Sequence, residues 1–378
     1  MSTDVQDGTD ALVPLGRTAE GRPVPPVRRR ARGRLDLEDP VVGWSAALGL
    51  TMLAFLLRLW HLGSPKAFEF DETYYAKDAW SLINNGYVRG YVDNADERIL
   101  KGTTQGLWTD GPSMIVHPEV GKWLIGLGEK TLGMDPFGWR IASAIVGSLM
   151  VLVMCRLARR VTGSTALGLV AGVLLMFDGL EFVLSRLALL DIFLAFFTLC
   201  AVSCLVADRD WYRARMARLV PERLDARGAW GPVRGLLWRP WLLAAGVNFG
   251  LACGTKWTAI YPLAAFGLLV VAWAAGARRA HGVRWAGLKA LLADGVPAFG
   301  YLVVVGLVVY LVTWTGWLVH AHEYEENLSS TQYTQFVAEE GCQGETLQAK
   351  LDPTKRWPTA TEPDASGLGE LVQSLRSL

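Results

Sequence analysis

Two carboxylates stand side by side in the run Phe68-Glu69-Phe70-Asp71-Glu72-Thr73-Tyr74-Tyr75. A short amphipathic helix is expected to follow, with Tyr75, Ala79 and Leu82 on one face and Asn85-Gly86 as its stop. Asp71 and Glu72 therefore fall at a helix N-terminus, where Asp caps well and an acidic first turn suits the helix dipole. Capping and chemistry are compatible, because one carboxylate oxygen can cap while the other accepts a proton. Adjacent carboxylates on a helix point in different directions. A division of labour, one group as base and one positioning a ligand, fits them better than a shared proton.

Positive charge comes from several places. Val116-His117-Pro118-Glu119-Val120-Gly121-Lys122-Trp123 precedes an apolar stretch. It reads either as a Pro-started interfacial helix with Trp123 anchoring and Lys122 snorkelling, or as a ligand-facing cation beside a His117 donor. Arg140 opens a later apolar segment, Asp178, Glu181, Arg186 and Asp191 crowd a tight hairpin, and Lys256 separates two apolar stretches. Charges at such depth cost roughly 2.5–3.5 kcal/mol on insertion scales, so they need a reason. For the hairpin, a structural ion-pair cluster in which Arg186 neutralises Asp178 or Glu181 is one reading. The other joins all of these residues: a base beside Arg140, Lys122 and Lys256 would suit an anionic lipid headgroup whose phosphate leaves. No Asp/His ligand cluster points to a metal, and the five cysteines form no CxxC pair.

The elements that must position these residues are membrane helices. Of 378 residues, 51% are hydrophobic and only 19% charged, and the mean hydropathy is +0.25. That excludes a disordered chain and argues against an ordinary soluble enzyme. About seven spans are expected: Val41–Trp60, Phe137–Leu157, Ala166–Leu184, Leu187–Ala207, Trp241–Thr255, Trp257–Ala275 and Leu291–Val319. Arg clusters recur in the N-terminal tail, after the second span, between the fourth and fifth, and after the sixth. These are the segments that seven spans with a cytoplasmic N-terminus leave inside. Topology thus explains the basic patches without nucleic acid. Residues 1–40 read as a disordered basic cytoplasmic tail rather than a signal peptide. Residues 41–319 form the membrane domain, with an outer loop over 62–136. Residues 320–378 form an acidic outer tail that looks unfinished, and Cys342 stands alone in it.

Phe70-Asp71-Glu72, His117-Pro118 with Gly121-Lys122-Trp123, Pro136-Phe137-Gly138-Trp139-Arg140, Ser185-Arg186-Leu187-Ala188-Leu189-Leu190-Asp191 and Gly254-Thr255-Lys256-Trp257 occur in that order. Together they resemble the dolichyl-phosphate-mannose–protein mannosyltransferases, in their actinobacterial form, over about residues 41–320. The resemblance implies an all-α multi-pass protein of GT-C architecture in the plasma membrane, with its site on the extracytoplasmic face. It implies inverting, metal-independent transfer of mannose, without a cofactor, from polyprenyl-phosphate mannose to Ser/Thr hydroxyls of exported proteins, possible contact with the export translocon, and no nucleic acid. It makes Asp71 the base and Glu72 its neighbour on acceptor or sugar. Arg140 and Lys256 become phosphate contacts, His117 and Lys122 donor-side residues, and Arg186 and Asp191 the site wall. Glu119 departs from the family, which often has a second Pro there. Family members also continue beyond the outer tail. The rival expectations are another lipid-phosphate-sugar transferase acting on a glycolipid or polysaccharide, and a non-catalytic membrane partner or transporter. The transporter ranks lower, because the charges gather on one face and no inverted repeat shows.

Overall fold

The computed structural model describes residues 38–113, 116–220 and 229–328. Most of the N-terminal tail and most of the outer tail, Cys342 included, lie outside the described residues.

The first helix, α1 (Pro40–Leu59), begins where Asp39 accepts from Val41 N at 2.9 Å and Pro40 supplies a preset first turn. The loop to the next long helix carries α2 (Glu72–Asn85), β1 (Arg89–Tyr91), α3 (Ala95–Leu100), β2 (Trp108–Pro112) and α4 (Val120–Leu132). β1 and β2 pair antiparallel, a small hairpin that the sequence did not lead one to expect. Asp135 and Pro136 repeat the Asp-Pro start at α5 (Pro136–Thr162), whose buried face includes Trp139, Arg140, Ser143 and Gly147. Then come α6 (Thr165–Met176), α7 (Gly179–Leu184), α8 (Leu190–Leu219), α9 (Pro240–Cys253), α10 (Ile260–Ala280) and α11 (Ala286–Val312). α11 contains two π-helical stretches, Leu291–Gly295 and Gly300–Val304. Two short helices, α12 (Thr315–Val319) and α13 (Ala321–Leu328), close the described chain.

Among the described residues five helices are long and apolar enough to cross a membrane: α1, α5, α8, α10 extended back to Trp257, and α11. The expected third and fifth spans are shorter. α6 stops at Phe177 because Asp178 starts a new helix, accepting from Glu181 N at 2.8 Å. α9 has 14 residues, bounded by Pro240 and Gly254, about 21 Å of helix against a hydrocarbon core of about 30 Å.

α5, α8 and α10 each start at the end that holds Asp71 and finish among arginines; α9 runs the other way. The arginine end is locked by Arg239 on Asp208 and by Arg278 on Asp294, the latter through Nε at 2.6 Å. Tyr212 adds a hydroxyl to Asp294 at 3.0 Å.

Candidate active site

Asp71 ends a tight turn. Glu72 N donates to Glu69 O at 3.1 Å, and the Glu72 side chain returns to accept from Glu69 N at 2.9 Å. Asp71 occupies the N-cap position of α2, yet its carboxylate makes no capping bond. Its one described side-chain partner is the Tyr75 hydroxyl, which donates to Oδ2 at 3.4 Å. The group is half-buried.

Glu72 has the opposite environment. It is fully buried, and Arg140 grips it through Nε at 2.8 Å and Nη2 at 2.6 Å. Ala188 N supplies a further bond at 2.9 Å. The remaining Arg140 donors reach the carbonyls of Leu62, Pro65 and Ala67 at 3.0–3.2 Å. A guanidinium has five N–H groups, and here all five are engaged. Arg140, expected as a phosphate contact, and Glu72, expected on acceptor or sugar, are here spent on each other and on the backbone around them. Together they tie α2, α5, the segment after α1 and the turn before α8 into one frame that holds Asp71.

Lys256 is more open than Arg140. It follows α9, whose Gly254 carbonyl accepts from Val120 N at 3.0 Å and so fixes α4 beside it. Gly121 keeps that approach close: a Cβ there would meet Leu190 Cδ2 at 2.6 Å. Lys256 Nζ reaches both Asp191 oxygens, at 2.8 and 2.9 Å, and both residues keep solvent access, 18% and 45% of their side chains. His117 is half-buried, its ring centroid 6.1 Å from that of Tyr75. Burial, then the charges of Lys256 and Lys122, push its proton affinity below that of a free histidine, against the opposing pull of Asp191 and Asp71. Burial and then the charges of Asp71 and Asp191 raise the Tyr75 hydroxyl. Tyr75 and His117 thus each feel both carboxylates, and Asp71, Tyr75, His117, Asp191 and Lys256 form one cluster.

The other expected residues lie around it. Lys122 is fully buried and pairs with Asp78 at 2.8 Å. Asp78 is held above the usual carboxylate range by burial, with Lys122 opposing. Arg186 neutralises neither hairpin acid; it donates to Trp60 O at 2.7 Å. Glu181 pairs with Arg58 of α1, which also donates to Ser185 Oγ at 2.9 Å. The sequence reading missed Arg58 and Asp78. An arginine inside the first span was the available signal for Arg58. For Asp78 it was the 71-75-78 spacing, which puts all three on one helix face. Among the described residues no group of three or more His, Cys, Asp or Glu is arranged to hold a metal ion.

Residues 48–324 match the family model described as dolichyl-phosphate-mannose-protein mannosyltransferase. The polyprenol-phosphate-mannose–protein mannosyltransferase of Mycobacterium tuberculosis is 38% identical over 282 residues, 74% of this chain and 50% of that protein. The same-named protein of Mycolicibacterium smegmatis is 37% identical over 284 residues, 74% of this chain and 51% of its own length. That of Corynebacterium glutamicum is 35% identical over 248 residues, 66% of this chain and 45% of the relative. The chain spans about half the length of the curated relatives it matches. Among solved structures, ArnT from Cupriavidus metallidurans in the apo state is 17% identical with a TM-score of 0.42, covering 89% of this chain and 58% of that one. That likeness is too loose to carry an argument. The match over residues 48–324 rests on the segment that builds the cluster around Asp71, and by it this chain belongs to the dolichyl-phosphate-mannose-protein mannosyltransferase family.

Proposed function

We propose that the chain carries the site of a GT-C glycosyltransferase that moves mannose from polyprenyl-phosphate mannose to Ser/Thr hydroxyls of exported proteins. The observation that carries this reading is the contrast at the Asp71-Glu72 pair. Glu72 is consumed by Arg140, while Asp71 is half-buried, unused in capping and free to take a proton. Asp71 removes the hydroxyl proton of the acceptor as that oxygen attacks the anomeric carbon. The bond from that carbon to the phosphate oxygen breaks, and the phosphate leaves with the electron pair. One displacement on the opposite face inverts the centre.

Lys256 supplies positive charge to the leaving phosphate, and Asp191 holds its ammonium in place until the anionic donor arrives. His117, with its lowered proton affinity, is neutral near pH 7 and offers one ring N–H. Lys122 acts from beneath through its pair with Asp78, and Arg140 positions the base through Glu72. No metal is needed in this scheme, since Lys256 provides the charge. An apolar groove of about 540 Å³, lined by Cys253, Tyr261, Gly306 and Tyr310 among others, includes Trp257, the residue after Lys256, and suits a polyprenyl tail. Basic residues gather at the end away from the cluster, and the positive-inside rule puts that end in the cytoplasm. The site then faces outward across the plasma membrane, where exported proteins emerge.

The test uses membranes carrying the chain, polyprenyl-phosphate mannose labelled in the sugar, and a Thr-rich peptide. Label on the peptide that disappears with Asp71→Asn supports the reading. Label on lipid or glycan instead reassigns the acceptor, and label that survives Asp71→Asn removes the base.

A further inference from the structure

Phe70 sits at the first central position of the Glu69–Glu72 turn with φ +56°, and Asp71 follows at φ −76°, ψ 2°. Those angles resemble a type II′ turn, whose first central position favours glycine because a Cβ is crowded there. The sequence puts a phenylalanine at this position and then leaves its side chain 80% exposed. The hydrogen bonds of Glu72 to Glu69, Arg140 and Ala188 over-determine the turn and so sustain the strained residue. A ring kept at a glycine position, with little burial within the chain to offset it, points to contact with something else. Tyr74, in the first turn of α2, is a second exposed aromatic close by in the chain, 59% exposed.

Which partner meets the ring follows from the neighbouring carboxylate. Consecutive Cα atoms are about 3.8 Å apart, and a hydroxyl giving its proton to Asp71 must come within about 3 Å of it. The residues flanking that hydroxyl therefore come within reach of Phe70. Asp71 turns its carboxylate to Tyr75, on the side where the charges of Asp191 and Lys256 await the donor's phosphate, and the exposed ring that precedes it in the chain is left to the acceptor. Resting on the proposed role of Asp71, we infer that Phe70 and Tyr74 form an aromatic platform that reads apolar side chains flanking the acceptor Ser or Thr, and so set acceptor specificity.

The test compares two peptides with the same central Thr, one flanked by Val and Pro, the other by Gly and Ser. Wild type should favour the first. Phe70→Gly removes the ring while supplying the residue the turn prefers, so a loss is not a folding loss. It should raise KM for the apolar-flanked peptide about tenfold, roughly 1.4 kcal/mol, erase the preference, and leave donor KM unchanged. A second readout needs no turnover: a peptide with a benzophenone beside its Thr is photolysed in membranes and the crosslink mapped by mass spectrometry. It should fall near residues 70–74, persist in Asp71→Asn and vanish in Phe70→Gly. Unchanged peptide preference, a rise in donor KM instead, or a crosslink indifferent to Phe70→Gly would overturn the platform; the last two would hand Phe70 to lipid or to the backbone alone. Loss of Asp71 dependence with the Phe70 crosslink intact would instead fell the base and leave the platform standing.

Discussion

Both ends of the bundle bury acid–arginine pairs, and the end that holds Asp71 sets a half-open acid and a half-open ion pair beside one of them. At the arginine end Asp208 is gripped by Arg239, and Asp294 by Arg278 and Tyr212. At the other end Glu72 is gripped in the same way by Arg140. A few residues from that closed pair stand Asp71, with one long hydrogen bond, and Lys256–Asp191, a pair that water still reaches. Buried and saturated charges fix helices; half-exposed, incompletely paired ones are available to a ligand. The difference separates frame from chemistry where residue type alone does not.

The sharpest way to break this comparison is to open a closed pair. Arg140→Ala leaves the Glu72 carboxylate buried and uncompensated and should cost about 3–5 kcal/mol of stability. Arg278→Ala should cost a similar amount through Asp294. The two should diverge in activity per folded molecule, with only Arg140→Ala disturbing transfer. Thermal unfolding in detergent, alongside transfer normalised to folded protein, checks both. Lys256→Ala belongs to the open class. It should lower the transfer rate roughly 10²-fold, as loss of one charge-stabilising donor does, while moving the melting temperature little.

Smaller effects come from titration. Burial and then the positive charges of Lys256 and Lys122 depress His117. The folded chain therefore binds fewer protons there than the unfolded one just below pH 6.5, and its contribution to stability falls as pH drops through that window. Near pH 7 the ring is neutral, so His117→Gln, a neutral amide donor, should keep transfer within about tenfold of wild type. A cationic role for His117 would instead show as a much larger loss. Glu129 on α4 is almost fully buried, with neither carboxylate oxygen partnered in the described structure. Burial, then the charge of Asp78, raises it well above the ordinary value. Folded protein holds that proton to higher pH than unfolded protein does, so stability declines as pH rises from about 4.5 toward the folded value. Glu129→Gln should flatten that decline, and melting temperatures at pH 6 and 8 read it directly.

Much of this was legible in the sequence, for identifiable reasons. Apolar length located the long helices α1, α5, α8, α10 and α11, because a bilayer sets a minimum that composition shows. At α6 and α9 it gave length that the helices do not reach, because Asp178 and Gly254 bound them at 12 and 14 residues. Asp71, His117, Asp191 and Lys256 were singled out by type and position. Their sorting from Glu72, Arg140 and Lys122 was beyond sequence, since it depends on how many donors each charge finds after folding. The Leu62, Pro65 and Ala67 carbonyls that saturate Arg140 are backbone groups with no sequence signature. Phe70 is similar. Its residue type was in plain view, but its positive φ exists only because Glu72 closes the turn.

The central claim, that Asp71 is reactive and the Glu72–Arg140 pair is frame, is tested most directly by measuring transfer and melting temperature on the same preparations of Asp71→Asn and Arg140→Ala. Transfer of labelled mannose to a Thr-rich peptide should fall by about 10²-fold or more in Asp71→Asn, the scale of a lost general base, with its melting temperature unchanged. Arg140→Ala should lose melting temperature, and its remaining folded molecules should transfer less because the frame that holds Asp71 has loosened. Asp71→Asn that still transfers at near the wild-type rate, or that unfolds as Arg140→Ala does, would contradict the account.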